Sequence, residues 1–139
     1  MAEASNARHF RNLIHWQKGQ SLASEVFALV RRLPRERAYD VLGTQILRSA
    51  GSVPANIAEG YGRFSPAAYR NHLSIASGSL FETQSWLDLL LRENAIGVDL
   101  VRRLDGECEA LARILTARMR SLDGQNQRAI HEEGHEYEA

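Results

Sequence analysis

One cysteine, three prolines and a single lysine are spread over 139 residues. The lone Cys108 excludes an intrachain disulfide and any metal site built on several thiolates. So few prolines leave room for long unbroken helices. No apolar run approaches the roughly 18–20 residues of a membrane span, so no membrane partner is expected. The opening stretch MAEASNARHFRNLIHWQKG has no uninterrupted apolar core of the secretory kind, and a cytoplasmic protein is expected. P-loop, Rossmann fingerprint and nucleophile elbow are all missing, and no cofactor is expected.

What is present is ordinary soluble composition, 44% hydrophobic and 24% charged, in a length that suits one domain with a sizeable core. The net charge is zero but unevenly spread. Residues 1–122 hold 16 basic and 12 acidic side chains, while residues 123–139 hold five acids and one base. Sixteen of the 17 bases are arginine, which forks onto phosphate better than lysine does. A body at +4 is still less basic than nucleic-acid-binding domains usually are.

Apolar residues recur with helical spacing in four segments. Leu22, Val26, Leu29 and Leu33 mark the first, which Pro34 ends. Tyr39, Leu42, Ile46, Ala50, Val53, Ile57 and Tyr61 mark the second. Tyr69, Leu73, Ala76, Leu80, Thr83, Leu87 and Leu90 mark the third, and Val101, Leu104, Cys108, Leu111, Leu115 and Leu122 the fourth. No stretch alternates long enough to make a strand. The connections LPRE, GRFSP and NAIG are short, so neighbouring helices must run antiparallel. The expected fold is all-α, an up-down-up-down four-helix bundle over residues 1–122. Helices of about 28 residues would be roughly 42 Å long. Residues 123–139 are polar, contain two glycines and lack an apolar stripe, and are expected to form a flexible acidic tail.

The stretch SVPANIAEGYGRFSP, Ser52 to Pro66, looks like a loop. The apolar phase nevertheless runs through Pro54 unbroken, so the second helix is expected to continue, kinked there. Glycines at 60 and 62 suit its C-terminus, and Ser65 followed by Pro66 suits the start of the next helix. Arg48, Ser52, Asn56, Glu59 and Arg63 share one face of the second helix, with Glu59 and Arg63 at ion-pair spacing. One carboxylate without a second acid or a histidine beside it in sequence offers no acid–base pair. On the third helix Ile75, Trp86 and Leu89 form a second apolar stripe, expected to meet another subunit. The run SIASGS would let a neighbouring helix approach closely.

HEEGH, His131 to His135, has the H-E-x-x-H spacing of zinc proteases, but it lies in an acidic, glycine-containing tail without an apolar face or a third ligand. It is read as a chance match, and no metal site is expected. His9, His15 and His72 are read as isolated surface or capping residues. Cys108, at a core heptad position, is read as a small buried hydrophobe.

Gln45 to Leu89 resembles the four-helix proteins of the 23S rRNA intervening-sequence (S23-like) family. Asn56, Ile57, Ala58, Glu59, Gly60, Gly62, Arg63 and Ser65 fall on that family's N-I-A-E-G-x-G-R-x-S pattern, and Ile75, Ala76, Gly78, Ser79, Leu80 and Glu82 on its second block. HWQKGQSLASEVFALVRRLP is similar to the family's first helix, with Gly19 where alanine is common. The resemblance implies a homopentamer without catalytic activity. It also implies kinship to the accessory variability determinants of diversity-generating retroelements, which bind a reverse transcriptase and nucleic acid. The expected function is a non-catalytic, self-associating bundle that binds RNA, DNA or a protein acting on them, through some of Arg31, Arg32, Arg48, Arg63, Arg102 and Arg103. The alternative is a purely structural or protein-interaction module.

Overall fold

The computed structural model describes residues 9–138, with the side chains of 129 and 133–138 left out of the description. A short 3-10 turn, Phe10–Asn12, leads into four α-helices: α1 (Ile14–Arg31), α2 (Arg37–Tyr61), α3 (Pro66–Arg92) and α4 (Val98–Glu138). The described residues form no strand. Each helix packs on the next in sequence, and α1 closes against α4. This is the antiparallel four-helix bundle that short connections demand.

The core is the set of heptad positions. Leu22, Val26 and Leu29 of α1 meet Ile46, Ala50, Val53 and Ile57 of α2. All seven stripe residues of α3, from Tyr69 to Leu90, are buried. So are Val101, Leu104, Cys108, Leu111, Leu115 and Leu122 of α4. Burial pushes the Cys108 thiol pKa up to about 12, with neighbouring carboxylates adding to it, so this cysteine stays protonated and unreactive.

Pro54 is buried inside α2, which runs past it without interruption. Its ring can donate no hydrogen bond to the preceding turn. Gly19 of α1 faces it, and a Cβ there would lie 3.3 Å from Val53 Cγ1 and 3.4 Å from the Pro54 nitrogen. Glycine therefore lets α1 sit against the α2 backbone at this level. Ser65 caps α3, its hydroxyl accepting from the Ala68 N–H at 3.3 Å, and Pro66 occupies the first turn.

α2 ends where its glycines suggest, at Tyr61 with Gly62 as the C-cap. No glycine among the described residues has positive φ, and Gly62 ends the helix at an ordinary φ of −75°. The left-handed residue of the turn is Phe64, at φ 58°. Gly60 is required by space instead, because a Cβ on it would lie 2.5 Å from His72 Cβ and 3.1 Å from Tyr69 Cδ2. Residues 123–138, expected to form a flexible acidic tail, continue α4 to Glu138. No proline interrupts them, and Gln, Arg, Ala and Glu are good helix formers that carry α4 past Gly124 and Gly134. Packing is what changes here: Leu122 is the last buried residue of α4 among those described. The 16 residues beyond it span about 24 Å at helical rise.

Gly60→Ala is expected to lower stability by about 1–3 kcal/mol, the cost of forcing extra volume into a filled site. Gly106→Ala, on α4 with nothing within 4 Å of the new Cβ, is expected to raise it by up to about 1 kcal/mol. Urea unfolding of the two variants beside the wild type measures both effects.

Candidate functional site

The SVPANIAEGYGRFSP stretch closes one end of the bundle, where α2 turns into α3. From the middle of the bundle to that corner, polar side chains form a ladder between the two helices. Ser49 Oγ and Thr83 Oγ1 lie 2.8 Å apart in the core, and Thr83 donates to the Ser79 carbonyl. Ser79 Oγ reaches Ser52 Oγ at 3.0 Å. Asn56 Nδ2 donates to the Ser52 hydroxyl at 2.9 Å and to its carbonyl at 2.8 Å. Asn56 Oδ1 accepts from His72 Nδ1 at 3.1 Å, which assigns that ring proton to Nδ1. Asn56 thus joins α2 to α3, and His72 is a member of the seam rather than an isolated residue. Glu59 is exposed and accepts from Arg63 Nη2 at 2.7 Å. That hydrogen bond, and then the nearby His72, hold the Glu59 carboxyl below its usual range.

His15 also departs from expectation. It is buried, and the Tyr69 hydroxyl donates to its Nε2 across 2.6 Å. Burial, and then the Arg118 charge, lower the His15 pKa, while burial raises that of Tyr69. Both groups therefore stay neutral, and the tyrosine keeps the proton it donates. Tyr61 packs edge-on to Tyr69 at 5.9 Å, and the Arg118 guanidinium lies 5.7 Å from the Tyr69 ring centre.

The six arginines named as contacts do not form one patch. Arg63 is at the corner and Arg48 midway along α2. Arg31 and Arg32 end α1, and Arg102 and Arg103 lie in the first turns of α4, so these four share the opposite end. Arg32 and Arg103 line a common cavity of about 350 Å³, floored by Leu29, Leu33, Ile96 and Leu100. Arg103 is ion-paired with Glu25 at 2.9 Å and Glu107 at 3.6 Å. Burial, and then the hydrogen bond with Glu25, raise the Glu107 pKa. Arg31 lies over the Phe27 ring at 4.8 Å. Among the described residues Arg32, Arg48 and Arg102 have no ion pair.

The apolar stripe of α3 is divided. Ile75 is 45% exposed, but Trp86 packs against the core and Leu89 is half-buried. The most exposed large apolar residue on α3 is Phe81, at 63%, which periodicity does not single out. HEEGH lies on the last turns of α4, and its side chains from 133 onward are outside the described residues. No cluster of three or more His, Cys, Asp or Glu among the described residues could hold a metal ion. No helix among them is long and apolar enough to cross a membrane.

Residues 11–117 match the 23S rRNA-intervening sequence protein family. The chain belongs to this family. A solved structure is similar over most of its length: the 1.70 Å crystal structure of a protein of unknown function from the S23 ribosomal protein family of Bacteroides thetaiotaomicron VPI-5482. It is 29% identical, with a TM-score of 0.72, and the match covers 76% of this chain and 98% of that one. No curated protein matches the chain. Neither match names a catalytic activity.

Two outcomes are expected at the corner. Asn56→Ala removes bonds within and between helices and should cost about 1–2 kcal/mol, whereas Arg63→Ala breaks only an exposed pair and should leave the unfolding midpoint unchanged. The second concerns pH. Because the folded pKa of His15 is depressed, the unfolded chain takes up this proton more readily. The stability that neutral His15 provides is complete above the ordinary histidine pKa of about 6.5 and is lost as pH falls below it. The thermal midpoint should therefore drop between about pH 7 and pH 5, with a shallower drop in His15→Gln.

Proposed function

We propose that this protein is a non-catalytic, self-associating helical bundle that binds RNA or DNA through its arginine-rich end. One observation carries the reading. The α1–α2 and α3–α4 connections share an end of the bundle, and seven arginines (Arg31, Arg32, Arg35, Arg37, Arg92, Arg102 and Arg103) meet four acids (Glu36, Asp40, Glu93 and Asp99) in and beside them. A charge excess that is weak over the whole chain becomes +3 over residues 31–40 and 92–103, before Glu25 and Glu107 on Arg103 are counted. Of these arginines only Arg103 is in an ion pair among the described residues. The rest have no acidic partner among the described residues, and Arg31 lies over the Phe27 ring. The family name points to a gene inserted in ribosomal RNA, and kinship to accessory variability determinants would make the partner a reverse transcriptase and its template. The phosphate backbone is common to both.

Self-association is the second part of the proposal. Ile75 and Phe81 stand exposed on the outward side of α3, and the open position Gly78 lies between them in sequence. This exposed apolar surface also favours the rival reading, a protein-interaction module without nucleic-acid binding.

Fluorescence anisotropy with a labelled RNA oligomer tests the first part. Affinity should fall between about 50 and 200 mM salt, and exchanging Arg31, Arg32 and Arg102 together for Gln should reduce the log–log salt slope by about 2–3. Salt-independent binding would sink the phosphate reading. For the second part, Ile75→Glu and Phe81→Glu should each lower the mass measured by light scattering. Wild-type mass in both variants would remove this face from the interface.

A further inference from the structure

At the corner end, opposite the arginine cluster, a cavity of about 230 Å³ opens where the α2–α3 turn meets α4. Tyr61, Phe64, Ser65, Tyr69, Arg118 and Gln125 line it. Three of these are aromatic rings, and Arg118 is the one charged group on the wall among the described residues. Arg118 is half-buried, and the groups it touches are neutral: Ser121 Oγ at 3.4 Å and the Tyr69 ring. Among the described residues no carboxylate pairs with it, and its charge disfavours protonation of the buried His15 behind Tyr69. The nearest acid on α4, Asp123, is taken by Arg70 at 3.1 Å. A half-buried guanidinium without a counter-charge beside aromatic walls is set up to accept an anion carried on a ring.

Phe64 supplies the second part. It is 90% exposed, the highest value among the large hydrophobic side chains of the described residues, and it has a backbone φ of 58°. A bulky side chain in the left-handed region is strained by about 1–3 kcal/mol and persists only where its surroundings hold it there. The Arg63 N–H to Gly60 carbonyl bond on one side and the Ser65 cap with Pro66 on the other fix the turn. The result is a flat ring held outward at the rim of the cavity.

We propose that this cavity binds a nucleotide, with the phosphate on the Arg118 guanidinium and the base stacked on Phe64. The cavity is smaller than the sites that enclose drug-sized ligands, so it takes the phosphate end and leaves the base at the rim. The choice of a nucleotide over another aromatic phosphate rests on the nucleic-acid reading above. The arginine end would then grip a strand by its backbone, while the corner end holds one exposed nucleotide. Aromatic stacking and a guanidinium are the pair that single-stranded sites use without regard to base identity.

Isothermal titration of the full chain with AMP tests the proposal. AMP should bind, and Arg118→Gln and Phe64→Ala should each weaken it by about tenfold. Adenosine, lacking the phosphate, should lose a similar factor. Phe64→Gly separates binding from folding: it relieves the positive φ and should raise the unfolding midpoint while losing AMP. AMP binding unchanged in both Arg118→Gln and Phe64→Ala, or no AMP binding by the wild type, overturns the proposal. Phosphotyrosine binding as tightly as AMP overturns the choice of nucleotide. The arginine-end reading is separable, because the Arg31, Arg32 and Arg102 exchange should weaken the RNA oligomer and leave AMP unchanged. RNA binding that survives alongside a failure to bind AMP removes this site alone.

Discussion

The corner end of the bundle depends on how closely α2 and α3 meet where Gly60 faces His72. A Cβ added to the glycine would lie 2.5 Å from the histidine, so any larger residue would push the two helices apart. At the observed separation His72 reaches Asn56, Tyr61 packs on Tyr69, and the chain must reverse in the four residues between Tyr61 and Pro66. A reversal that short leaves one residue in the left-handed region, and here it is Phe64. One missing methyl group therefore governs the seam, the turn and the cavity beside it.

The seam answers why polar residues interrupt an otherwise apolar helix pair. Leucines alone would allow α2 and α3 to slide or rotate at little cost, since hydrophobic burial is not directional. Hydrogen bonds from Ser49 to Thr83, Ser79 to Ser52 and His72 to Asn56 are directional and tie one register. Left unmade, each would strand a partly desolvated polar group. The ladder thus reads as a register device with its partners satisfied. The unpaired charges lie elsewhere, on Arg118 at one end and on the free arginines at the other.

The bundle was legible in the sequence because it rests on period. Nearly every heptad position named from spacing is buried, and the cap at Ser65 and Pro66 is where turn chemistry places it. Features that depend on distances between helices were not legible. Asn56 and Glu59 share one stripe, yet only the partner helix shows that Asn56 bonds across the seam while Glu59 faces water. His15 and Tyr69 are 54 positions apart and meet only after folding. Trp86 shares a stripe with Ile75, but it packs against the core while Ile75 stays exposed. Residues 123–138 lack an apolar stripe, which removes a reason to pack and not the propensity to stay helical. Among the contact residues, the sequence already placed Arg31 beside Arg32 and Arg102 beside Arg103, while their gathering at one end required the antiparallel topology.

The succession of the helices has a consequence for how the chain reaches this state. Every major helix pairing except α1 with α4 joins neighbours in sequence. Such a fold has low contact order, and little chain entropy is spent closing long loops before contacts form. Domains of this kind fold in microseconds to milliseconds, faster than a ribosome adds the next residue. The α2–α3 hairpin, with its corner and its polar ladder, can therefore assemble before α4 has emerged to cover it.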